Sequence, residues 1–103
     1  MNKLTLLACA AVASAVTYAQ TSLAEPPMDK YNSSCAVCHA TGAAGAPKTG
    51  DAEAWKPHLD KGMDKLLQSV NNGVNAMPPK GMCFSCSDED YKALIEYMAK
   101  PAQ

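Results

Sequence analysis

The sequence predicts an all-α domain, and three observations carry that prediction. Apolar residues return at three- and four-residue intervals through the runs 63–70 and 91–98. Nothing alternates at period two for long enough to make a strand. Proline and glycine fall where short helices should begin or end, at Pro26-Pro27, Gly50, Gly73 and Pro101.

The elements follow in order. Residues 1–24, MNKLTLLACAAVASAVTYAQTSLA, hold one lysine, an uncharged apolar run from Leu4 to Val16, and then small residues. That is the layout of a signal peptide cleaved after Ala24 or Ala19, and the apolar run is too short to span a bilayer. An uncleaved anchor fits less well. A lipid at Cys9 fits least, because the apolar lead from Leu4 to Ala8 is brief. The expectation is an exported, periplasmic protein whose mature domain is residues 25–103.

Asp29 to His39 can form a first helix after the Pro26-Pro27 break. His39 to Gly50 (HATGAAGAPKTG) is a glycine- and alanine-rich loop able to approach a flat ligand closely. Asp51 is placed to cap a turn, AEAW, which Pro57 should limit. Met63, Leu66, Leu67 and Val70 mark the next helix, closed by Gly73. In the last helix Ser87 is the N-cap, and Asp88, Glu89 and Asp90 suit the positive helix start. Tyr91, Leu94, Ile95 and Met98 make its apolar stripe.

Charge narrows the function. Beyond residue 24 there are eight lysines, ten acidic residues and no arginine, so no basic stripe supports nucleic-acid binding. Much of the apolar content of that region is alanine or cysteine. So small a domain with so few large side chains struggles to bury enough surface alone, and something must fill or staple its middle.

The cysteines say what. Past Cys9 they form two pairs, Cys35-Ala-Val-Cys38-His39 and Cys83-Phe-Ser-Cys86. Two disulfides are the plainest reading in an oxidising compartment. A four-thiolate zinc site would need both pairs, but 44 residues separate them, longer than a zinc ribbon usually needs. His39 tips the first pair toward covalent haem, since C-x-x-C-H is the attachment signature of c-type haem. On a helix, Cys35 and Cys38 lie a turn apart on one face and can reach two vinyl groups on one porphyrin edge. The next residue, His39, can then turn its imidazole to the iron. The second pair lacks a following histidine, so one haem c per chain is expected. No strand pattern suggests a thioredoxin-like dithiol there, which leaves a structural Cys83–Cys86 disulfide.

The iron's other ligand must come from Met28, Met63, Met77, Met82, Met98 or His58, or be absent. Met63 and Met98 sit in packing stripes, Met28 lies before the first helix, and His58 reads as a solvated surface residue. Met77 precedes Pro78-Pro79, whose stiffness lowers the ordering cost of holding a weak thioether donor. Met82 adjoins Cys83 and is less free. Met77 is favoured.

The stretches SSCAVCHATGAAGAPKTG and NAMPPKGMCFSCSDEDYKALIEYM resemble the class I monohaem cytochromes c, and closely the cytochrome c5 family, over nearly all of residues 28–100. The resemblance implies a small cytochrome c-like helical domain wrapped around one covalently attached haem. Its implied site has thioethers at Cys35 and Cys38, axial ligands His39 and Met77, and a Cys83–Cys86 disulfide. It also implies that the Pro47 carbonyl accepts the other ring N–H of His39. Which groups meet the haem propionates is open, with Trp55 and nearby lysines as guesses.

Two axial ligands leave no open position for a substrate, so the expectation is a one-electron carrier and not an enzyme. A thioether donor raises the reduction potential. The expected partners are redox proteins, a membrane donor complex and a terminal oxidase or reductase. No nucleic acid and no small-molecule substrate are expected, and peripheral contact with the membrane stays open. Lys48, Lys56 and Lys80 are candidates to steer docking on an acidic partner, with plain solubilisation as the equal alternative. The competing function is a haem-based gas-binding or sensor protein, which would share Cys35, Cys38 and His39.

Overall fold

Four helices are strung in sequence order, and the computed structural model describes them over residues 25–102. The expected signal peptide, residues 1–24, lies outside the described residues. Helix α1 occupies residues 28–39 in three continuous pieces: an α-turn at Met28–Lys30, a π-turn at Tyr31–Cys35, and a second α-turn at Ala36–His39. The π-turn carries an extra residue and ends on Cys35, the first residue of the Cys-His motif, a device often met at functional sites. It turns Tyr31 into the core, where 7 % of the residue stays exposed.

Helix α2, Ala52–Leu59, starts at Asp51, whose Oδ1 accepts the Ala54 N–H at 3.1 Å. Pro57 was expected to limit this helix, but the chain passes through it to Leu59. The bond Pro57 cannot donate is the one to Glu53, close to the helix start, and the helix ends two residues later, so little is lost. Helix α3, Met63–Asn72, runs between Gly62 and Gly73. Helix α4, Asp88–Ala99, opens on a capping box: the Asp90 N–H donates to Ser87 Oγ, and the Ser87 N–H donates to Asp90 Oδ2.

Among the described residues there is no β-strand; an isolated bridge joins Val74 to Met77. Helix α2 packs on α3 and α4, and α3 packs on α4. The core is Tyr31, Trp55, Leu66, Leu94, Ile95 and Met98, with Met63, Val70 and Tyr97 against it. Tyr31 and Tyr97 meet edge to face, centroids 5.1 Å apart. Tyr91, Leu94, Ile95 and Met98, the stripe read from the sequence, are all buried.

The interior is thin. Ten of the described residues are buried, and Leu94 alone is sealed below 2 % exposure, while Val37, Met82 and Phe84 stand more than 60 % exposed. A helical shell with so little of its own filling is what the composition forecast.

Candidate haem-binding site

The site is built from one end of α1 and two loops. Cys35 and Cys38 are free thiols one turn apart on α1, each half-buried. Burial pushes the Cys35 thiol up, so it stays a neutral S–H at ordinary pH. His39 follows, buried at 8 % exposure. Its Nδ1 lies 2.8 Å from the Pro47 carbonyl oxygen. A carbonyl only accepts, so Nδ1 carries the proton and the lone pair of the neutral ring is on Nε2. That is the tautomer a metal-binding imidazole needs, with its orientation fixed from behind.

Residues 47–50 form a strap in which every position is tied to one of the helices α1, α2 or α4. Besides Pro47 to His39, the Lys48 carbonyl accepts the Trp55 indole N–H at 3.0 Å, from α2. The Thr49 N–H donates to the His39 carbonyl at 2.7 Å, and Thr49 Oγ1 shares a 2.8 Å hydrogen bond with the Tyr31 hydroxyl. The Gly50 N–H donates to the Met98 carbonyl at 2.8 Å. Trp55 was offered as a propionate partner; here its one donor is committed to Lys48. His58, expected as a solvated residue, is half-buried with its ring edge-on to Trp55 at 6.1 Å.

Met77 sits on a closed turn. The Val74 N–H donates to the Met77 carbonyl at 3.0 Å and the Met77 N–H returns to the Val74 carbonyl at 2.8 Å. Asn75, inside the turn, takes a left-handed φ of 51°, which asparagine tolerates better than most residues. Pro78 and Pro79 follow, the latter opening a short 3-10 turn, Pro79–Met82, that rests on α3 and on the π-turn of α1. Met77 is half-buried, whereas Met82 is 61 % exposed and Met98 lies in the core. The closed turn eluded the sequence, because one bridge pair is too short to show alternation.

The Cys83–Cys86 disulfide closes the loop after Met82. The buried Tyr91 hydroxyl donates to the Cys83 carbonyl at 2.7 Å. Lys30 Nζ reaches both the Ser85 carbonyl at 3.2 Å and Asp90 Oδ2 at 3.0 Å, so α1, this loop and the start of α4 share one ammonium.

Two free thiols a turn apart, an imidazole held in the metal-binding tautomer and a shell short of filling fit a covalently attached haem. Comparison with known proteins agrees. The family model described as cytochrome c oxidase, cbb3-type, subunit III matches residues 22–98. Cytochrome c5 of Azotobacter vinelandii is 51 % identical over 67 residues, covering 63 % of this chain and 81 % of that protein. A mono-haem ferrocytochrome c from Shewanella putrefaciens is 52 % identical, with a TM-score of 0.65 over 76 % of this chain and 96 % of its own. A cytochrome c in an electron-transfer complex with nitrite reductase is 43 % identical, with a TM-score of 0.64 over 73 % of this chain and 94 % of that one.

Proposed function

Because the chain belongs to the class I monohaem c-type cytochromes, in the cytochrome c5 family, and carries one covalent haem c, we propose that this electron carrier works in the periplasm with His39 and Met77 as its axial ligands. The haem supplies one-electron exchange between Fe(III) and Fe(II). Cys35 and Cys38 would hold it through thioether bonds to its two vinyl-derived side chains. His39 presents Nε2 while the Pro47 carbonyl holds Nδ1–H, which fixes the ring and raises its basicity.

The observation that carries the reading is the closed Val74–Met77 turn backed by two prolines. A thioether is a weak donor and stays bound only where the loop bearing it is ordered beforehand. With both axial positions filled by the chain there is no place for an exogenous ligand, which sets this carrier apart from a gas-binding protein. It also gives the chain no catalytic residue. Exposed Lys48, Lys56 and Lys80 would steer docking on an acidic redox partner. A terminal reductase is supported as one such partner by the nitrite reductase complex of the relative described above, with a membrane donor complex on the supply side.

The test is the absorption spectrum of the purified red protein. The ferrous spectrum should stay unchanged under carbon monoxide in the parent and respond in Met77→Ala. A parent that binds carbon monoxide freely overturns the electron-carrier reading in favour of a sensor.

A further inference from the structure

Residues Lys80, Gly81 and Met82 take left-handed φ angles of 62°, 55° and 66° in succession. Two of the three bear side chains, so this backbone path admits one at 81 as well, at the cost in strain that any left-handed position carries. What distinguishes position 81 is its neighbour. A Cβ built there would stand 3.1 Å from Cε of Met77, closer than the 3.4–4 Å of ordinary contact. We infer that Gly81 is a positioning residue for the Met77 thioether, its missing side chain being the space into which the methyl group fits.

The displacement cannot be passed to the backbone. Met77 is tied through both N–H and carbonyl to Val74, and Pro78 and Pro79 follow directly. On the other side Gly73 closes the space: a Cβ there would meet the Met77 carbonyl and Pro79 N at 3.0 Å. A side chain at 81 therefore pushes on the methyl alone. A free thioether arm turns away at little cost, but one bound at its sulfur must twist about that bond or draw back. Gly81 thus governs how firmly Met77 holds, an inference that rests on Met77 being an axial ligand.

Gly81→Ala tests it in the haem-bound protein, with Gly62→Ala beside it. Gly62 has a φ of 92° and no heavy atom within 4 Å of its notional Cβ, so its alanine variant loses stability without pressing on Met77. Imidazole titrated into the ferric protein competes with Met77. Its apparent affinity should rise about tenfold in Gly81→Ala, from overpacking of the order usual for an extra methyl, and stay at the parent value in Gly62→Ala. The Met77 methyl resonance of the ferrous protein should shift only in Gly81→Ala. An unmoved resonance with unchanged imidazole affinity in Gly81→Ala overturns the inference. So does an equal rise in Gly62→Ala, which would report general loosening. A parent that lacks a ring-current-shifted methionine methyl refutes the Met77 ligand assignment itself, and the inference falls with it.

Discussion

Trp55 lies stacked on His39, with ring centroids 5.5 Å apart and planes inclined by 26°, while its indole N–H holds the carbonyl of Lys48. One side chain thus supports both the face of the imidazole and the strap that accepts the imidazole's Nδ1–H bond. The two jobs separate on mutation. Trp55→Ala should cost about 3–5 kcal/mol, as large core truncations do. Trp55→Phe keeps a ring against His39 and leaves the Lys48 carbonyl with the Asp51 N–H alone, at 3.0 Å, at a cost of about 0.5–1.5 kcal/mol. Denaturant midpoints of the two variants measure this, and a loss in Trp55→Phe equal to that in Trp55→Ala would mean that the ring against His39 carries no weight.

Asp90 serves the capping box and the Lys30 ion pair together. The Ser87 backbone N–H, and after it Lys30, hold its carboxyl below the ordinary value of 3.8. A carboxyl depressed in the folded state contributes stability above its unfolded pKa, and that contribution fades as pH falls through the folded pKa. Stability should therefore decline with acid below pH 3.8, and the part of the decline due to this group should be missing in Asp90→Asn. Denaturant midpoints of parent and variant from neutral to strongly acidic pH should converge at the acid end.

Tyr91 answers at the other end of the scale. Burial, ahead of the nearby acidic charges, pushes its hydroxyl above 10.0. A neutral group favoured by folding gives its full contribution below the unfolded pKa, and loses it as pH rises toward and through the folded one. The parent should weaken above pH 10, and Tyr91→Phe should lack that component. At neutral pH the variant should lose about 1 kcal/mol, because the Cys83 carbonyl keeps only the longer bond from the Cys86 N–H, at 3.3 Å.

Removing the disulfide should matter locally. By loop entropy, so short a ring contributes only ~2 kcal/mol, and the double variant Cys83→Ala/Cys86→Ala should still fold around its haem. Hydrogen exchange should quicken at residues 80–86 and stay slow in the buried stretch of α4. A global collapse would show the staple to be more than local.

Helices were legible because burial imposes a period that can be read off residue by residue, as Tyr91, Leu94, Ile95 and Met98 show, and because Asp51 and Ser87 announce their caps. The Cys35, Cys38 and His39 cluster was legible because its spacing is itself the chemistry. Illegible were features decided by partners distant in sequence. Pro57 looks like a stop until its place near the end of α2 shows how little it breaks. Trp55 looks available to a ligand until the Lys48 carbonyl is seen above it, and His58 looks solvated until Trp55 lies beside it. Gly81 reads as one more turn glycine, since nothing in its neighbours' letters says that the Met77 methyl comes within reach.

The strap at residues 47–50 also tells where this chain has freedom of length. Its bonds fall on consecutive residues and lead to α1, α2 and α4, so one inserted or deleted residue there would unseat several registrations at once. Just upstream, Thr41 and Ala43 to Gly45 lie open to solvent. Insertions of a tag or a surface-anchoring cysteine belong in that segment, where the proximal scaffold would not feel them.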